Sequence, residues 1–75
     1  MSRWSKPFHG LTHLGESSDR RRVSVQAFSD GRAELFKWYE GCGFSPITEM
    51  HDSVELAKAE GERWINEISI RGAQL

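Results

Sequence analysis

The side chains best suited to hold a metal are His9, His13, His51 and Cys42. His9 and His13 stand four apart; on a strand they share a face but lie about 13 Å from one another, too far for one ion. Structural zinc also draws on paired ligands such as Cys-x-x-Cys, which a single cysteine cannot supply. The histidines therefore read as surface residues, with no metal and no other cofactor expected. Serine, histidine and aspartate all occur, but without a nucleophile elbow, a glycine-rich phosphate loop or a paired-acid arrangement. Cys42, between Gly41 and Gly43, has the accessible setting of a reactive thiol. No base is identifiable beside it, so the segment reads as a turn. The chain is expected not to be an enzyme.

Charge offers more than nucleophiles do. Arg20, Arg21 and Arg22 lead into a strand, and Arg32 and Lys37 lie on the same two-stranded ribbon. These five are the candidate partner-binding residues. Bases on a twisted sheet, with an aromatic such as Phe28 on the outer face, can follow a nucleic-acid backbone. The competing expectation is a solvated loop, with the three arginines ahead of the strand and facing water, that keeps a sheet edge from pairing with other chains. Glu55, Glu60, Glu62 and Glu67 give the C-terminal segment an acidic face, able to imitate phosphates or to dock on a basic protein. Lys58 and Arg63 interrupt it at pairing distance, which favours a plain solvent face. Residues 1–37 carry seven Lys or Arg against four acids, and residues 38–75 carry three against seven. That asymmetry is a clue to a partner.

The elements that must position these groups are legible in part. Asp30-Gly31 between two alternating runs predicts a hairpin over 22–39 with a two-residue type I′ turn. That turn sets Phe28 opposite Ala33, Ala27 opposite Glu34, Val25 opposite Phe36 and Val23 opposite Trp38. One face then holds Val23, Val25, Ala27, Phe36 and Trp38; the other holds Ser24, Gln26, Phe28, Leu35 and Lys37. Asp52 and Glu55 suggest a capping box opening a helix over about 53–70, with Gly72 as its C-terminal cap. Val54, Ala57, Gly61, Trp64, Ile65 and Ile68 form its apolar stripe. Gly61 costs about 1 kcal/mol against Ala in a helix, which points to close approach to the sheet. Trp64 and Trp38 are expected to meet in the core. A first strand is expected over about 8–14, behind Pro7, followed by a loop over 15–19. A short edge strand is expected near 44–50, where Pro46 is tolerated.

Together these elements give one α+β domain over residues 1–75, an antiparallel three- or four-stranded sheet packed on one C-terminal helix. At this length burial is thin, so monomer and homodimer are both open. The lone cysteine suits a reducing compartment, and no apolar run nears the ~18 residues of a membrane span. No signal-peptide layout precedes the first strand, so a cytoplasmic location without membrane contact is expected.

Three strands followed by a helix opening Asp52-Ser53-Val54-Glu55-Leu56-Ala57-Lys58 resemble two groups of proteins over about residues 8–70, at the level of architecture and helix style. One is the small inhibitors encoded by phages and mobile elements, including anti-CRISPR proteins. The other is the DNA-binding module of AP2 domains and of phage integrase arm-binding domains. The first resemblance implies a non-catalytic inhibitor that contacts a host protein or ribonucleoprotein complex. The second, kept as the alternative, implies a sheet that reads DNA. Those DNA-reading sheets carry a denser set of Arg and Trp, whereas this chain has a pI near 6.3. No functional residue carries across from either group.

Overall fold

A computed structural model describes residues 3–15, 20–41, 43 and 45–74, with side chains through residue 67. Strands β1 (Leu11–His13), β2 (Arg21–Ala27), β3 (Ala33–Tyr39) and β4 (Ile47–His51) precede one helix, α1 (Val54–Gln74). The strands form one antiparallel sheet in the order β1-β2-β3-β4, and α1 packs on one of its faces. This is the expected α+β class, with four strands rather than three. The predicted loop over 15–19 and the Gly41-Cys42-Gly43 break fall partly outside the described residues, as do Cys42 and Phe44.

The pairing of β2 with β3 differs from the sequence expectation by one residue. Ala27 opposes Ala33, Val25 opposes Leu35 and Val23 opposes Lys37. The turn explains the shift. A type I′ loop needs positive φ at both central residues, and of Asp30 and Gly31 only Gly31 has it, at +96°. Gly31 N–H donates to the Phe28 carbonyl (3.1 Å), and Phe28 N–H donates to the Arg32 carbonyl (2.9 Å). The result is a three-residue loop closed by a left-handed glycine. Asp30 ties it down, Oδ1 accepting from the Arg32 backbone N–H (3.0 Å) and Oδ2 from Arg32 Nε (2.8 Å). A one-residue slip exchanges the faces of β3 relative to β2. Leu35, fully buried, therefore joins Val23 and Val25 under the helix, while Phe36 and Trp38 project from the opposite face.

The double positive φ of a two-residue turn occurs instead at His9 (+51°) and Gly10 (+79°). Phe8 and Leu11 exchange both backbone hydrogen bonds across it, each 3.0 Å. The expected 8–14 strand is thereby reduced to Leu11–His13. Residues 3–5 fold back along β1, with Ser5 N–H donating to the His13 carbonyl and Gly15 N–H to the Arg3 carbonyl. This return brings Trp4 into the core.

The core consists of Trp4, Leu14, Val23, Val25, Ala33, Leu35, Ala57, Trp64 and Ile65, with Val54 packed beside it. The helix stripe is as expected through Ile65; the Ile68 side chain lies outside the described residues. A Cβ built on Gly61 meets Leu35 Cδ1 at 3.2 Å and Val23 Cγ2 at 3.3 Å, so the helix lies close on the sheet at this glycine. The cap is Ser53 rather than Asp52: its Oγ accepts from Leu56 N–H (3.1 Å), the bond of an N-cap to the third helical residue. The helical backbone continues through Gly72 to Gln74, so Gly72 does not end it.

Candidate functional site

The five predicted partner-binding residues do not share a surface. Arg20 is exposed in the turn before β2, at φ +64°. Arg21 does not precede the strand or face water: it opens β2 on the helix face and is 6% exposed. Its Nη1 donates to the Trp64 carbonyl (2.5 Å), and its guanidinium carbon lies 4.5 Å from the Trp64 ring centre and 5.7 Å from that of Tyr39. Its Nε is buried without a hydrogen-bond partner among the described residues. Arg22, also within β2, points to the other face, pairs with Glu40 and donates to the Arg21 carbonyl. Arg32 is held in the turn by Asp30. Lys37, 8% exposed, donates to Glu49 Oε2 at 2.6 Å and lies 5.7 Å from the Trp64 ring centre. Arg21 and Lys37 thus converge on Trp64 beneath the helix, where Tyr39 meets the indole edge-on at 5.5 Å. Trp38 is absent from this cluster, contrary to the expected Trp38–Trp64 contact.

The ion pairs account for much of the acidic helix face as well. Arg63 pairs with Glu60 and reaches Glu67 at 3.6 Å. The Arg63 hydrogen bond holds the Glu60 carboxyl below its usual range, and Glu60 in turn raises Arg63. Glu62 accepts from Trp4 Nε1 (2.7 Å) and lies 3.3 Å from Arg3. Glu49, between Lys37 and His51, is also held low, first by its hydrogen bond from Lys37; partial burial opposes this and His51 (3.2 Å) adds to it.

What the alternation leaves on the far side of the sheet is a face with a different character. Leu11 and His13 from β1, Arg22, Ser24 and Gln26 from β2, Glu34, Phe36 and Trp38 from β3, and Thr48 and Met50 from β4 all point away from α1. A groove of about 360 Å³ runs across it, lined by Leu11, His13, Ser24, Gln26, Phe36, Trp38 and Pro46. No element among the described residues covers it. Pro46, just ahead of the edge strand β4, walls one side, and the short β1 walls the other.

The polar groups in the groove are mostly occupied with local structure. His13 Nδ1 lies 2.5 Å from Ser24 Oγ, a contact between direct cross-strand partners. Gln26 Nε2 donates to the carbonyls of His9 and Ala27, both at 3.0 Å. Among the described residues no carboxylate orients His13 from its other nitrogen, so the pair lacks the third group of an activated nucleophile. The groove offers apolar and aromatic surface with a few fixed dipoles. No group of three or more His, Cys, Asp or Glu among the described residues could hold a metal, and no described helix is long and apolar enough to cross a membrane.

No known protein family, curated protein or solved structure matches this chain.

The sequence reading placed the binding function on bases, and the open aromatic face went unread. Its signal was the alternation of Leu35, Lys37 and Tyr39 with Phe36 and Trp38, legible only once the loop length is known.

Proposed function

We propose that this protein is a small non-catalytic interaction domain that engages a protein surface through the open face of its sheet. The observation that carries the reading is the placement of Phe36 and Trp38, two residues apart on the interior strand β3, on the side of the sheet away from the helix. Aromatic side chains in a groove are the usual anchors of protein contacts, because they bury much area with few rotors to order. The face is also poor in cations: Arg22 is committed to Glu40, and Glu34 lies on the same side. Aromatics of this kind can also stack single-stranded bases, but such grooves pair stacking with bases that track the phosphates. The shortage of cations favours a protein, or the protein part of a ribonucleoprotein. A phage-type inhibitor of a host complex is one use of such a surface, supported by resemblance of architecture.

The test compares immobilised wild type with Trp38→Ala and with Leu56→Ala, which removes an exposed apolar side chain from the helix instead. Nuclease-treated lysate should yield a partner that wild type and Leu56→Ala retain and that Trp38→Ala holds at least about tenfold more weakly. Equal retention by Trp38→Ala overturns the reading. So does sub-micromolar binding of a single-stranded oligonucleotide near physiological salt that Trp38→Ala abolishes, which would transfer the face to nucleic acid.

A further inference from the structure

We propose that the β4 edge of the sheet accepts an extended segment of another protein as a fifth strand, and that this segment sets Lys or Arg opposite Glu49 with an apolar side chain beside Ile47. The two edges of the sheet are finished differently. Along β1 the chain folds back and takes up the outer groups: Ser5 N–H donates to the His13 carbonyl, and Phe8 and Leu11 exchange both their backbone bonds. Beyond β4 no further strand stands among the described residues.

The ladder shows which groups of β4 are turned outward. Phe28 N–H donates to the Arg32 carbonyl at the loop, so by alternation Gln26, Ser24 and Arg22 bond with Glu34, Phe36 and Trp38. Ala33, Leu35 and Lys37 then bond the other way, to His51, Glu49 and Ile47. Thr48 and Met50, both exposed, are left with N–H and C=O groups pointing away from the sheet. Such a row is a template for one more strand unless something blunts it. The pairing over 47–51 runs without a bulge, and neither Lys nor Pro occurs within it.

What β4 does carry is one acid, and this selects the occupant. A second copy pairing antiparallel about the strand centre would set Glu49 against Glu49, like charges directly opposite. Acids also outnumber bases along the strand. Glu34 stands across from Met50, Asp52 lies just past the end, and Glu60 on α1 is near enough that its charge and that of Glu49 act on one another. Lys37 and Arg63 already stand in ion pairs. Glu49 accepts from Lys37, yet its side chain is 36% exposed and each carboxylate oxygen offers a second lone pair. A base on a strand about 4.8 Å away reaches it directly. Ile47 points to the same side and is 56% exposed, so it takes an apolar residue two places along. Backbone bonds supply the affinity of such an added strand, and its alternate side chains supply the choice. Phe36 and Trp38 take no part, so the edge is a second surface beside the groove.

The probe is the capped peptide Val-Thr-Lys-Thr-Val, whose pattern is the same read in either direction, followed by NMR of the isotope-labelled protein. In the free chain the amides of Thr48 and Met50 should exchange with solvent faster than those of Glu49 and His51. The peptide should shift the amide signals of residues 47–51, slow exchange at Thr48 and Met50, and half-saturate below about 1 mM. The same peptide with Glu in place of Lys should bind at least about fivefold more weakly. That reversal lies in the peptide and leaves the fold untouched. Trp38→Ala should bind the Lys peptide as wild type does. Thr48 and Met50 amides already protected in the free chain overturn the proposal, as does the absence of any shift at about 5 mM peptide. Equal binding of the two peptides, or loss of binding in Trp38→Ala, overturns it too. Failure at this edge leaves the Trp38→Ala capture experiment to decide the open face separately.

Discussion

Arg21 and Lys37 both carry a positive charge under the helix, and each keeps it by a different means. Lys37 has a carboxylate, Glu49, at 2.6 Å; Arg21 has the Trp64 carbonyl, the indole face and the covering of its own stem. An acid in place of Arg21 would face that carbonyl oxygen in the same buried position. Arg21→Glu should therefore cost about 3–5 kcal/mol, most of the margin of a domain this small. Arg20→Glu, one residue away and exposed, should change stability by no more than about 0.5 kcal/mol. Urea unfolding of the two variants checks the contrast, and equal midpoints would show that Arg21 is not buried. Glu49 supplies a second residue-scale expectation. Its carboxyl titrates below its ordinary value of 4.5, so the stabilisation of the Lys37 pair is complete above that pH and is lost as pH falls through the lower, folded value. Asp30 and Glu60 are shifted in the same direction, but their partners Arg32 and Arg63 are 59% and 62% exposed against 9% for Lys37, so salt screens those pairs more. Thermal melts in about 0.5 M salt should still show a fall in midpoint as the pH drops below 4.5, and Glu49→Gln should flatten it. A wild-type profile already flat in salt would assign no stability to the half-buried Lys37–Glu49 pair.

At the scale of elements, the helix and the places of the strands were readable and the pairing register was not. Six apolar positions at three- and four-residue spacing can satisfy one geometry only, and five of them, Val54 through Ile65, lie against the sheet. The cap moved by one residue because Asp52 and Ser53 are both capping types, and the hydrogen bond from Leu56 chooses the serine. Gly61 shows why a helix glycine in an apolar stripe carries information. Alanine there gains about 1 kcal/mol of helix propensity. Its methyl must enter a space bounded at 3.2–3.3 Å by Leu35 and Val23, both themselves buried and unable to withdraw far. Overpacking of that kind costs about 1–3 kcal/mol, so Gly61→Ala should be neutral to mildly destabilising and Gly61→Val clearly worse. A gain in unfolding midpoint for Gly61→Val would mean that helix and sheet stand further apart. The register failed at the turn. Asp-Gly suits a two-residue turn and also the end of a three-residue loop, and the second form is chosen by the φ of Asp30, which composition does not reveal.

At the scale of the whole molecule, the sign difference between the two halves of the chain is spent largely within the fold. Arg3–Glu62, Arg22–Glu40 and Lys37–Glu49 each join a base from residues 1–37 to an acid from 38–75. An asymmetry that looked like a clue to a partner is thus in good part taken up inside the fold, between neighbouring strands, at the end of the hairpin and from the N-terminal return to the helix. The open aromatic face was hidden for a related reason. Both faces of β3 are rich in apolar side chains, so periodicity alone could not say which face the helix covers. A sheet with one face on its core and the other open ordinarily alternates apolar with polar. The exception here is the candidate site itself, where Phe36 and Trp38 stand on the open face in place of polar side chains. The two registers make opposite predictions. If Phe36 and Trp38 belonged to the core, Trp38→Asp would unfold the protein and Leu35→Asp would be borne at the surface. In the fold described, Leu35 is 0% exposed between Val25 and Gly61, and an unpaired carboxylate there should abolish cooperative folding. Trp38→Asp should leave a folded chain, with a cooperative melt and unchanged far-ultraviolet circular dichroism. Trp64→Ala, which empties the space between Arg21, Lys37 and Tyr39, should cost about 3–5 kcal/mol. A folded Leu35→Asp beside an unfolded Trp38→Asp would restore the two-residue turn and put the helix on the other face.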